Sequence, residues 1–242
     1  MMPVLLLALI CGDSLPAVDS LEDLLRRQPG MAHAVELNRR YCAEGRFDEA
    51  AKMLGTYEER ALAGEKGMVN FLIAEAHLFA GKIIDARQHY LQTAARFSST
   101  AIANDALERL YLIEVCRKDT ALMTRLIRAL CYQSTSQLVP AEESLKILIP
   151  TALGDYALYF TALNFEAQDK IPLALSALQE LAVKFPNHTI HTVDILAARL
   201  HVQLKNYKTA AALLESLIVR KPETIYAVQA RAMLKELDLK RR

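Results

Sequence analysis

The side chains of this sequence best suited to chemistry are six histidines, four cysteines and a few adjacent carboxylates. Their spacing argues against each chemistry in turn. His188 and His191 share a short polar stretch with His201 ten residues further on, while His77 and His89 fall on separate helical runs. No HExxH, no His-x3-His on one helix and no Cys/His cluster of the kind that surrounds zinc is present. Cys11, Cys42, Cys116 and Cys131 include no CxxC pair, and the last three lie in helical runs, where they read as small core hydrophobes. A disulfide between two of them stays open, because spacing along a chain does not give separation in space. Glu58-Glu59 and Glu142-Glu143 sit on helix surfaces, where solvated charge is the expectation. Nucleophile elbows, phosphate-binding glycine loops and dinucleotide fingerprints are missing. No enzyme, metal or cofactor reading has a residue to rest on, and the chemistry that remains is recognition.

The elements that would carry a recognition surface repeat along the chain. From Ala157 to Pro222 the same order occurs twice: an apolar helical run, a short polar turn, a second apolar run with one small residue, then a proline. Ala174 and Ala210 are 36 residues apart, as are Pro186 and Pro222. A fixed period of this length marks an array of helix-turn-helix units. The block EGRFDEA at 44–50 is the N-terminal version, in which Gly45 frees the backbone between two helices and Phe47 fills the gap they leave. Small residues where helices cross recur at Ala50, Ala86, Ala141, Ala174 and Ala210, defining five units that start near Met31, Gly67, Leu122, Asp155 and His191. In register with them are Asn38, Ala74, Ala129, Ala162 and Ala198 midway along the first helix. Phe47, Ile83, Leu138, Ile171 and Tyr207 open the second helix, and Leu54, Tyr90, Leu145, Leu178 and Leu214 follow later in it.

One interval breaks the period. Ala86 to Ala141 spans 55 residues, a surplus of about 20 over one repeat. That surplus predicts an extra helix over about 102–117, with Leu107, Leu110, Tyr111 and Ile113 to Val115 buried. An unpartnered helix there shifts the phase of the stack, so a bend or subdomain boundary is expected between the second and third units. Thr100, Thr189 and Thr224 are the expected N-caps of the inter-repeat turns. A short helix over Leu21–Gln28 precedes the array, and an amphipathic helix from Ile225 to about Lys240 closes it with one wet face, as a solenoid end requires. The organisation is thus an N-terminal apolar segment over 1–20, repeats over 21–100, an extra helix over 101–121, and repeats with a capping helix over 122–242.

Composition narrows the partner. Lys plus Arg at 29 against Asp plus Glu at 28 leaves a net charge of +1, without the basic excess that nucleic acid demands. Apolar residues make up 52% of the chain and Trp is absent, a mix suited to closely packed helices. Pro3 to Cys11 is an apolar run too short to span a bilayer but of the length of a secretory signal core. Export is the expectation, with Cys11 as a lipid-anchor position and the sole route to a membrane. The alternative is an N-terminal helix packed on the first repeat of a cytoplasmic protein.

On these repeat positions the chain resembles the tetratricopeptide repeat (TPR) family over most of its length. The inter-repeat turns FSSTAIANDA, FPNHTIHTVD and KPETIYAVQA are similar to those of TPR proteins of the Gram-negative cell envelope, the type that includes the outer-membrane assembly lipoprotein and the Tol–Pal-associated coordinator. The resemblance implies an all-α fold, an α-solenoid of antiparallel helix pairs forming a TPR superhelix. It also implies a non-catalytic scaffold that holds a protein or peptide, periplasmic or outer-membrane-associated, the alternatives being a cytosolic TPR adaptor or an accessory helical-repeat subunit of an envelope enzyme complex. In TPR arrays the first helix of each pair lines a concave groove, here through Val35-Arg39-Cys42, Phe71-Glu75-Leu78, Leu126-Leu130-Gln133, Tyr159-Leu163-Glu166 and Ile195-Arg199-Val202. The implied partner-binding residues are Arg39, Phe71, Glu75, Tyr159, Leu163, Glu166 and Arg199. Apolar anchors mixed with isolated charges suit an amphipathic helix or extended segment, with Tyr159 the preferred anchor. The competing reading is that several of the apolar members complete a tightly wound core.

Overall fold

A computed structural model describes residues 18–241. The apolar run with Cys11, the expected signal or lipid anchor, lies outside the described residues. Among the described residues the chain is all-α, an α-solenoid of thirteen helices. A leading helix α1 (Val18–Arg27) is followed by two pairs, α2 (Met31–Ala43) with α3 (Phe47–Glu58) and α4 (Lys66–Phe79) with α5 (Ile83–Arg96). The extra helix expected from the surplus is α6 (Ala101–Val115). Three more pairs follow: α7 (Thr120–Ser134) with α8 (Leu138–Leu148), α9 (Gly154–Ala167) with α10 (Ile171–Lys184), and α11 (Val193–Gln203) with α12 (Tyr207–Arg220). The closing helix is α13 (Ile225–Arg241).

The chain divides into two compact units, the first ending at Ser144 and the second starting at Leu145. This division falls within α8, later than the extra helix with which the broken period associated it. In the first unit α1 through α6 pack each on the next, and α7 lies against both α2 and α4. In the second, α9 through α13 pack in the same successive way.

Close packing rests on the residues that the repeat singled out. Ala50, Ala86, Ala141, Ala174 and Ala210 are all fully buried, as are Ala74, Ala129, Ala162 and Ala198 on the partner helices. A side chain beyond Cβ at these points would hold the helix axes apart. Leu54, Leu145 and Leu214 are likewise sealed, and Phe47 sets its ring edge-on to Phe79 across the first and second pairs, centroids 6.2 Å apart.

All five turns within pairs are built alike, which the residue types hide. Gly45 and Gly81 have φ of 74°, but Ser136, Asp169 and Lys205 hold the same left-handed conformation at 60°, 57° and 60°. Each turn closes with two backbone bonds. The residue at positive φ donates to the carbonyl three back, as in Gly45 N to Cys42 O at 3.1 Å and Lys205 N to Val202 O at 3.0 Å. The next residue donates to the carbonyl five back, as in Arg46 N to Tyr41 O and Asn206 N to His201 O, both 2.8 Å. This is the Schellman closure, and it satisfies carbonyls that a helix end leaves open. A side chain in this conformation costs about 1 kcal/mol, part of which glycine returns as chain entropy. Lys205→Gly is therefore expected to stabilise by about 0.5 kcal/mol, and Gly81→Ala to destabilise by about 1 kcal/mol, read from urea midpoints.

Two expectations are corrected. Leu107 and Tyr111 are 53% and 51% exposed, because α6 packs on α5 and α4 through Ile102, Ala103, Ala106, Leu112 and Ile113 instead. The threonines also differ. Thr100 is the N-cap of α6 but makes no side-chain capping bond. Its hydroxyl donates back to Phe97 O at 2.6 Å, as that of Thr224 does to Lys221 O at 2.9 Å, and Thr224 Oγ1 also accepts from Ala227 N at 3.3 Å. Thr189 lies ahead of α11, whose N-cap is Thr192 with no side-chain capping bond.

Candidate functional site

In the first unit the expected recognition residues gather into a sealed cluster. Glu75 projects from α4 and is 5% exposed. Its Oε1 accepts from the Tyr90 hydroxyl on α5 and, at 2.9 Å, from Arg109 Nε on α6. Phe71, one turn earlier on α4, packs its ring 5.5 Å from that of Tyr90 and lies 5.9 Å beneath the Arg109 guanidinium. A carboxylate out of water needs such a partner, since an unpaired buried charge is far costlier than a paired one. Burial, followed by the charge of Glu75, holds the Tyr90 phenol well above its usual range. Asp105 and Glu108 share the α6 face with Arg109. Burial lifts them to about 6 and about 7, against the pull of the Arg109 charge. Phe71 and Glu75 were expected on an open groove; they are buried instead where α4 meets α5 and α6, because Tyr90 and Arg109 close over them.

Arg39 on α2 forks onto Glu36 through Nε at 2.8 Å and Nη2 at 2.6 Å. Its Nη1 donates to the carbonyl of Thr135, just past α7, at 3.3 Å. The expected α7 row of Leu126, Leu130 and Gln133 is buried. The inner rows of α2 and α4 thus meet a helix of the same chain.

The second unit differs. Tyr159 and Leu163 on α9 are 8% and 9% exposed, and the Tyr159 ring packs 5.6 Å from Phe160. The preferred anchor is therefore part of the core, for the reason the competing reading gave: tight helix pairing consumes the apolar members of the row. Glu166, on the same face of α9, stays at the margin. Arg199 of α11 grips it with two bonds, Nε at 2.7 Å and Nη2 at 2.6 Å, and Gln203 Nε2 adds a third at 3.2 Å. The Arg199 side chain is 25% exposed. This planar fork fixes geometry as well as charge.

The two units thus share a device that sequence reading did not foresee: a glutamate on one helix and an arginine 34 or 33 residues later on another. The near-repeat spacing of Glu75 to Arg109 and Glu166 to Arg199 was its one legible sign. His77 and His89, placed on separate helices, do come together, with rings stacked 5.4 Å apart. His89 Nδ1 lies 2.7 Å from Asn70 Oδ1, and burial, helped by His77, pushes the His89 imidazole below its usual range. Among the described residues no three His, Cys, Asp or Glu side chains converge as a metal site. No described helix is long and apolar enough to cross a membrane.

No family model and no curated protein matches this chain. Solved structures do. The TPR2AB-domain:pHSP90 complex of yeast Sti1 is 14% identical with a TM-score of 0.42, covering 91% of this chain and 88% of that one. Yeast Tom70 is 13% identical with a TM-score of 0.44 over 99% of this chain and 47% of its own. A tetratricopeptide repeat protein from Parabacteroides merdae is 14% identical with a TM-score of 0.42, covering 91% of both chains.

Proposed function

We propose that this protein is a non-catalytic, TPR-type scaffold that holds a protein or peptide partner, working in a bacterial cell envelope. The observation that carries the reading is the Arg199–Glu166 fork, a charged pair set between helices of successive repeats and kept partly in solvent. A partner carboxylate can share the Arg199 guanidinium without uncovering the core, and Gln203 offers an amide beside it. Arg39, paired with Glu36, offers a comparable but separate contact on the first unit. Phe71, Glu75, Tyr159 and Leu163 serve this role indirectly, by fixing the helices that present the charges.

The test is binding by Arg199→Glu and Glu166→Lys of a partner that co-purifies with the native chain. Loss of a central charged contact is expected to weaken binding about 30-fold, or about 2 kcal/mol. Thermal melts of the same variants must stay within a few degrees of the parent. Unchanged binding by both variants refutes the assignment and favours a second surface, the outer face of α6, where Leu107 and Tyr111 are half exposed. Recovery of the chain with intact Met1 from the cytosol would replace the envelope by a cytosolic adaptor.

A further inference from the structure

Cys42 and Cys131 stand on two helices that pack together, α2 and α7. The bond from Arg39 Nη1 to Thr135 O fixes the register of that contact. Cys42 is three residues after Arg39, and Cys131 is four before Thr135. Cys42 thus lies on the α2 face that carries Arg39, and Cys131 lies one turn before the α7 end that accepts from it, its own carbonyl accepting from Thr135 N at 3.0 Å. Cys42 is buried, Cys131 is half-buried, and both are free thiols. Burial pushes the Cys42 thiol up to about 12, with the charges of Cys131 and Glu75 adding to it, and Glu75 acts on the Cys131 thiol as well. Cys116 caps the end of α6, where burial and then the charge of Asp119 push its thiol up to about 11.

We propose that Cys42 and Cys131 form a redox clasp that closes between α2 and α7 by exchange with a low-molecular-weight disulfide. The half-buried Cys131 thiolate attacks one sulfur of the external disulfide and releases one thiolate. Cys42, deprotonated in turn, attacks Cys131 Sγ and releases the second. Two protein thiols are oxidised to one disulfide, one external disulfide is reduced to two thiols, and the two protons lost by the protein pass to the leaving thiolates. Closing the clasp locks α7 onto the inner rows of α2 and α4. Burial also holds the Cys131 thiol up at about 11, so the attacking thiolate is scarce at neutral pH. Closure is accordingly slow there and accelerates roughly tenfold for each pH unit between 7 and 9.

The test uses the full-length native chain, oxidised glutathione and peptide mapping by mass spectrometry. The expected result is loss of two thiols per chain, a Cys42–Cys131 cross-linked peptide, no covalent dimer and a melting temperature raised by several degrees. Cys131→Ser abolishes the cross-link, and Cys116→Ser leaves it intact. A persistent mixed disulfide on Cys131 without internal closure would overturn the proposal. So would a bridge using Cys11 or Cys116, or a closure rate that does not change with pH. The mapping of the unmodified chain decides the matter even if a serine variant folds poorly.

Discussion

Replacement of Arg109 by leucine is expected to be among the most damaging single changes in the first unit, with a loss of about 3–5 kcal/mol. The cause lies on the other side of the bond. Glu75 and Arg109 side chains are 7% and 14% exposed, and removing the guanidinium leaves a carboxylate in the core with Tyr90 still donating to it. Glu75 must then either stay charged without its ion partner or take up a proton. A double-mutant cycle separates the pair from its surroundings. Glu75→Leu combined with Arg109→Leu is expected to be markedly less destabilising than Arg109→Leu alone, because an apolar pair strands no charge. Urea denaturation followed by circular dichroism measures all three variants. If the double variant is as unstable as the sum of the singles, Arg109 acts by packing and the ion-pair account fails.

Gly154→Ala should act on the second unit by a different route, at a cost of about 3 kcal/mol. A Cβ on Gly154 would stand 2.4 Å from the carbonyl oxygen of Ile149 and 2.5 Å from Phe185 Cζ. The ring could swing aside, but the carbonyl belongs to the chain that leads into α9 and cannot. Phe185→Ala in the Gly154→Ala background is therefore expected not to restore stability. Gly55 supplies the contrast, since a Cβ there meets nothing within 4 Å in the middle of α3. Gly55→Ala should raise stability by about 0.5–1 kcal/mol through the entropy of the unfolded chain. Equal melting temperatures for Gly154→Ala and the parent would show that the α9 entry yields more than this geometry allows.

What could be read in advance divides along physical lines. The crossing alanines were legible because a steric requirement admits few residue types, so Ala50, Ala86, Ala141, Ala174 and Ala210 announce the array. The extra helix was legible as a length, since 55 residues cannot fit one repeat. Its orientation was not, because apolar residues lie on more than one side of α6, and packing on α5 and α4 chose Leu112 over Tyr111. The turn at Lys205 escaped notice because glycine marks a left-handed residue only where glycine is used. Tyr159 misled for a related reason. A residue on the inner row is a contact or a core residue according to how near its neighbours stand, and spacing along the chain does not carry that distance.

The seating of α7 on α2 and α4 changes how the first unit must assemble. A helical array built only of neighbouring contacts can nucleate anywhere and grow or fray one repeat at a time. Here the Arg39–Thr135 bond joins residues 96 apart. Closing so large a loop must be completed before that contact rewards it, which raises contact order and slows the final step. The same closure ties the first repeat's integrity to a helix encoded far downstream. During synthesis α5 and α6 can cover Phe71 and Glu75 of α4 as they emerge, but the α2 face that carries Arg39 waits until α7 has left the ribosome.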